Sequence, residues 1–146
     1  MKALGVEDVE FTGRVNVKDY LGKMDFTLLT SISEGQPLTI LESYAAHKPV
    51  IATDVGNCRE LIYGNDDGFG SAGILTHIMN IEEIAQAMIT MTEDQEERER
   101  MGEAGYKRVN AFYRIEQMKD VYREIYKELS EKQKLTWTEE PFGLRR

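Results

Sequence analysis

An apolar, β-prone run from Asp25 to Ile32 (DFTLLTSI) ends in Ser33-Glu34-Gly35-Gln36-Pro37, after which Leu38, Leu41 and Ala45 recur at helical spacing. A buried strand, a short bend bearing glycine and proline, and a helix follow one another directly, which is the repeating unit of an α/β sheet. Pro37 suits the first turn of a helix, where its missing N–H is not needed. Glu34 therefore falls in a strand-to-helix loop, and Glu42 lies in the second turn beyond it. Open α/β sheets bind ligands at such loops, outside the carboxyl ends of their strands. The free N–H groups of a helix start favour an anion such as a diphosphate. The two carboxylates are acceptors for hydroxyls of the kind carried by a ribose or a hexose.

The rest of the chain repeats this unit. Val6 to Thr12 (VEDVEFT) reads as a short strand ending at Gly13, and Asn16 is placed to cap a helix from Val17 to about Met24, with Tyr20, Leu21 and Met24 on one face. Past the helix from Pro37 to about His47, Lys48-Pro49 breaks the chain and Pro49 to Thr53 (PVIAT) reads as a second apolar strand. Asp54-Val55-Gly56-Asn57 is a turn, and Asn57 can cap a short helix over Cys58 to Tyr63. Gly64 to Gly73 reads as a flexible loop and Ala72 to Thr76 as the last strand. Asn80 with Glu83, and Thr92 with Gln95, fit capping boxes for two helices. The first has Ile81, Ile84, Ala85, Met88 and Met91 on its apolar face; the second runs roughly from Asp94 to Asn110. Ile115, Met118, Val121, Tyr122, Ile125, Tyr126 and Leu129 give a long amphipathic helix whose apolar side reads as core, or as a surface for another domain.

Four short strands alternating with helices imply an α/β, Rossmann-like parallel sheet with flanking helices. The first strand arrives with no helix before it, so the expectation is the second half of a larger sheet. Residues 1–135 make that one unit and residues 136–146 a tail, with no repeat or linker between.

Composition excludes several classes. With 41% hydrophobic and 30% charged residues in 146, a globular domain with a real core is expected. A net charge of −8 argues against non-specific binding to nucleic acid or to anionic lipid. The single cysteine, Cys58, forbids an internal disulfide, no apolar run reaches membrane-spanning length, and the first residues lack the order of a signal peptide, so a cytoplasmic protein is expected.

Each candidate has a plainer reading. Glu34 and Glu42 could be solvated acids, and a pair of carboxylates also serves glycosidases. Gly68-Phe69-Gly70-Ser71-Ala72-Gly73 matches the dinucleotide fingerprint by letter, but it follows a polar loop and leads into a strand, so it is rejected. His47 and His77 stand thirty residues apart without metal-ligand spacing and read as cap or surface residues. A helix start could lower the pKa of Cys58, yet no histidine adjoins it, and a small buried residue is the better reading. No G-x-S-x-G elbow accompanies Ser31, Ser33 and Asp54. The charge run from Glu93 to Arg100 reads as a solvated face with pairs such as Glu96–Arg100.

The E-x7-E spacing of Glu34 and Glu42, followed by Pro49-Val50-Ile51-Ala52-Thr53-Asp54-Val55-Gly56, resembles the C-terminal domain of retaining GT-B glycosyltransferases of family 4 (group 1). Leu29-Thr30-Ser31-Ile32-Ser33-Glu34-Gly35-Gln36-Pro37-Leu38 and Gly56-Asn57-Cys58-Arg59-Glu60-Leu61 look more narrowly like the Pel exopolysaccharide branch. The likeness runs from about Val6 to Leu129 and includes Arg100-Met101-Gly102-Glu103-Ala104-Gly105 and Tyr122-Arg123-Glu124-Ile125-Tyr126.

The resemblance implies a hexose transferred with retention from a nucleotide-diphosphate sugar, UDP-linked, to a growing polysaccharide; no metal-ligand cluster is visible in the sequence, so neither a metal nor another cofactor is expected. Glu34, in the catalytic position, faces the donor sugar, and Glu42 accepts from the ribose hydroxyls. Backbone N–H groups of the bend Gly35-Gln36-Leu38-Thr39 reach the sugar and the diphosphate, while Pro37 can give none. The family's basic diphosphate ligands and acceptor domain lie upstream of the matched region. A second expectation follows: a non-catalytic nucleotide-binding or assembly module that pairs with a missing domain or a second copy through an open sheet edge at Val9–Phe11.

Overall fold

A computed structural model describes residues 5–133. Its sheet has three parallel strands, β1 (Thr27–Leu29), β2 (Val50–Thr53) and β3 (Gly73–Thr76), in the order β1-β2-β3. Helix α1 (Lys18–Leu21) precedes β1, α2 (Leu38–Ala45) links β1 to β2, and α3 (Cys58–Tyr63) links β2 to β3. Helices α4 (Ile81–Glu93), α5 (Gln95–Phe112) and α6 (Ile115–Gln133) follow. The expected α/β, Rossmann-like architecture is present, with one strand fewer.

Strand β2 explains the layering. It is buried along its whole length, and period 2 sends Val50 and Ala52 to one face and Ile51 to the other. On the first face Ile40 and Tyr44 of α2, Leu61 and Ile62 of α3 and Ala104 of α5 close the core. On the second, Ala87 and Met91 of α4 and Met101 of α5 pack on Ile51, with Phe26 and Ile74 beside them. Burial on both faces is what a parallel strand requires, and PVIAT is apolar enough to supply it. Helices α2 and α5 approach closely because Gly105 leaves room for the Tyr44 ring, whose Cγ would lie only 2.7 Å from a β-carbon there.

Several expectations are corrected. Val6 to Thr12 forms no strand: the segment is irregular, and Phe11 is 78% exposed. Three acids interrupt it, and no neighbouring strand takes up its backbone groups, without which an extended segment gains little. Among the described residues the edge strands are therefore β1 and β3, not Val9–Phe11. Helix α1 is four residues long, and Asn16 contributes a long 3.4 Å contact to the N–H of Lys18. Helix α2 begins at Leu38, with Pro37 just outside in extended conformation.

In α4 the Asn80 side chain does accept from the N–H of Glu83, at 3.2 Å, but the Glu83 carboxylate reaches further back, to the N–H of His77 at 2.7 Å. Its buried residues are Ala87 and Met91, whereas Met88, Ile81 and Ala85 are exposed. Asp94, not Thr92, caps α5, accepting from the N–H of Glu97 at 2.9 Å. Arg100 pairs with Glu97, one position nearer than the expected Glu96. The apolar side of α6 is not core: its seven apolar residues from Ile115 to Leu129 are between 44% and 65% exposed. The tail, residues 136–146, lies outside the described residues.

The loop from Gly64 to Gly73 is tied down by a residue with no apparent motif. Arg108 of α5 is buried to 1% exposure and donates to Asp67 at 2.5 and 3.1 Å, to the carbonyls of Leu61 and Ile62 at 3.0 and 2.9 Å, and to that of Gly70 at 2.6 Å. The guanidinium holds the Asp67 carboxyl below its ordinary pKa, against the opposing effect of burial. Removing one partner of a buried pair strands the other charge, so Arg108→Met should lose about 3–5 kcal/mol in urea unfolding. Because the Asp67 pKa is depressed on folding, its stabilisation is fully present above about pH 4 and is lost as pH falls through the lower folded value. Unfolding measured from pH 7 to pH 2 should show this loss, with a smaller acid-range slope in Asp67→Asn.

Candidate functional site

Since the strands are parallel and in register, their carboxyl ends, Leu29, Thr53 and Thr76, share one edge of the sheet. The expected bend leaves the first of these ends and the turn before α3 leaves the second. The two are cross-linked. The Thr53 hydroxyl donates to the carbonyl of Ser31 at 2.5 Å, and the N–H of Asn57 donates to that of Gly35 at 2.8 Å. The N–H of Asp54 donates to the carbonyl of Thr76 at 2.9 Å, so the third end joins the same edge.

Glu34 is half-buried in the bend, and its Oε1 accepts from the Ser31 hydroxyl at 2.6 Å. This serine orients the carboxylate; a Ser-x-x-Glu spacing was the only sequence signal for it. Glu42 is exposed in the second turn of α2 and its side chain has no partner among the described residues. Gly35, Gln36, Leu38 and Thr39 are exposed. Among the described residues no side chain caps α2 and its first turn carries no acid; the N–H of Ile40 donates to the carbonyl of Pro37 at 3.2 Å, and no backbone acceptor takes those of Leu38 and Thr39. Gln36 and Leu38 border a groove of about 550 Å³ walled by Leu41, Phe112, Met118 and Tyr122, which Glu34 and Glu42 do not line. Arg59, at the start of the neighbouring helix α3, is engaged with Asp54.

The remaining candidates fall into plain roles. Cys58 is fully buried, and burial pushes its thiol pKa up, with the charges of Glu34 and Asp54 acting the same way. The helix start does not activate it. His47, at the end of α2, stacks on Tyr106 with ring centroids 3.7 Å apart and lies 3.2 Å from the Glu103 carboxylate. His77 lies 2.8 Å from Glu83. Gly68 to Gly73 leads into β3, as its rejection as a dinucleotide loop requires. Among the described residues no group of three His, Cys, Asp or Glu side chains could hold a metal ion, and no helix is long and apolar enough to cross a membrane.

Residues 1–108 match the family model of glycosyl transferases group 1. The chain belongs to this family. It is 33% identical over 128 residues to N-acetyl-alpha-D-glucosaminyl L-malate synthase of Bacillus anthracis, covering 86% of this chain and 32% of that protein. It is 30% identical over 126 residues to an uncharacterized glycosyltransferase of Methanocaldococcus jannaschii, covering 84% of this chain and 34% of the relative. A sucrose-phosphate synthase from Thermosynechococcus elongatus superposes with a TM-score of 0.70 at 23% identity, over 82% of this chain and 30% of that one. That likeness shows the fold, the Rossmann-like arrangement of GT-B glycosyltransferases. The chain thus spans about a third of the length of the curated relatives.

A buried thiol with a raised pKa is a poor nucleophile. In the native chain Cys58 should resist a disulfide reagent at neutral pH and react at once in denaturant. Rapid native labelling would mean that the turn before α3 opens.

Proposed function

We propose that this chain is the donor-binding part of a retaining glycosyltransferase that transfers a hexose from a UDP-sugar to a growing polysaccharide. The observation that carries the reading is the bend itself. It leaves the carboxyl edge of a parallel sheet, opens onto an uncapped helix and has an acid on each side, Glu34 before and Glu42 after. A diphosphate suits the N–H groups of Gly35, Gln36, Leu38 and Thr39, and hydroxyls suit the two carboxylates. Glu34, steadied by Ser31, faces the sugar; Glu42 takes the ribose. Charge growing on the leaving diphosphate is then met by fixed N–H dipoles instead of a metal. The Leu29–Leu38 segment supports assignment to the Pel-like exopolysaccharide branch. Among the relatives, a galactosyltransferase of Escherichia coli is described as using UDP-Gal, at 28% identity over 112 residues, which agrees with a UDP-linked donor.

For the 146-residue chain by itself, a non-catalytic reading has its own support. Among the described residues strand β1 has a neighbour on one side only, Leu28 is 42% exposed, and α6 presents an uncovered apolar face. In this reading the chain holds nucleotide and associates through an open edge or face, but does not transfer sugar. Release of UDP from a UDP-sugar with sugar transfer by this chain alone would overturn it, and light scattering measures the association directly.

The site is tested by calorimetric titration with UDP. Glu42→Ala should weaken binding by roughly 1–3 kcal/mol, since the ribose hydroxyls lose a charged acceptor. An unchanged affinity would place the ribose elsewhere.

A further inference from the structure

We infer that Gly56 and Asn57, in the turn between β2 and α3, are positioning residues that aim the N–H groups of Gly35 and Gln36 at the donor. The inference rests on the reading of the bend as a nucleotide-sugar site and adds what sets its geometry.

The argument begins with the carbonyls. That of Gly35 accepts the N–H of Asn57 at 2.8 Å. That of Glu34 abuts Gly56 so closely that a β-carbon there would overlap its oxygen, and would lie 2.6 Å from the oxygen of Gly35. Both carbonyls are thus turned toward the same turn. In a planar trans peptide the N–H points opposite to the C=O of the preceding residue, and there is no cis peptide here. The N–H groups of Gly35 and Gln36 must therefore face away from α3, on the open side of the bend. Neither donates to a backbone acceptor among the described residues. Two successive N–H groups turned to one side are the elements of an anion-binding concavity. Gly56 also holds φ +52, in the left-handed region, so glycine is required twice over: by the backbone and by the carbonyls pressed against it.

Gly68 supplies the control. It has φ +73 but nothing within 4 Å of a built β-carbon, so Gly68→Ala carries the backbone cost without touching the bend. In a proton–nitrogen amide spectrum, Gly56→Ala should move the Gly35 and Gln36 resonances and Gly68→Ala should leave them in place. On titration with UDP, Gly56→Ala should bind roughly tenfold more weakly than the parent chain, the scale of misaligned hydrogen bonds to a charged group, and Gly68→Ala should bind as the parent does. Unmoved amides in Gly56→Ala, or equal weakening in both variants, overturns the inference. If the parent chain takes up no UDP, the donor-site reading fails by itself, and the amide shifts still decide whether Gly56 sets the bend. If Gly56→Ala does not fold, hydrogen exchange in the parent decides: the Asn57 amide should be protected and become more so with UDP, and free exchange there overturns the clamp.

Discussion

Parallel pairing of β2 with a neighbour on each side is the interaction on which the candidate site depends. Val50 stands beside Thr27 and Gly73, and Ala52 beside Leu29 and Leu75, so the three strands end within one residue of one another. Because β2 is buried on both faces, slipping its register would exchange Ile51 with Val50 and Ala52 and set both cores at odds with their helices. The loop positions inherit that rigidity. Thr53, the last residue of β2, reaches across to the carbonyl of Ser31, and Ser31 in turn holds Glu34. A chain of short contacts thus runs from the most buried strand to the carboxylate at the rim, with no flexible step between.

The other side of the molecule is organised by a charge instead of by apolar contact. A guanidinium taken out of water is costly unless every donor is matched. Arg108 meets a carboxylate and three carbonyls that have no helical partner of their own, those of Leu61 and Ile62 near the end of α3 and that of Gly70 in the loop. It therefore does for α3 what a capping motif does elsewhere, and it draws the 64–72 segment onto α5 at the same time. The glycine-rich stretch is ordered by a residue some forty positions away. That is why a composition that reads as a flexible loop does not behave as one.

This division explains what could be read from the residues. The strand–bend–helix unit at 25–47, the PVIAT strand, the short helix from Cys58 to Tyr63 and the caps at Asn80 and near Thr92–Asp94 were legible within two or three residues, because local chemistry decides each. The order of these units gave the parallel sheet. The bend carrying Glu34 was legible as a rim loop for the same reason. What was not legible is pairwise and distant. Nothing near Arg108 marks it as buried, and nothing near Gly56 says that its missing β-carbon makes room for the carbonyl of Glu34. Val6 to Thr12 failed in the opposite sense: its alternation suits a strand, but a strand exists only where a neighbour takes its hydrogen bonds.

Helix α6 shows the same limit for apolar pattern. Ile115, Met118, Tyr122, Ile125 and Leu129 follow one another at intervals of three and four, the spacing of a narrow seam between helices rather than the broad face of a helix lying on a sheet. Periodicity of this kind states that one side of a helix is suited to burial; it does not name the surface that buries it. In the described residues that side stays open, and the helix is held to the body near its start, where the Gln117 amide donates to the carbonyl of Ala111 at 2.6 Å. The groove beside Gln36 and Leu38 exists because α6 leaves α5 at this point and overhangs the start of α2. An apolar wall therefore adjoins the bend at Gln36 and Leu38, and neither Glu34 nor Glu42 lines it.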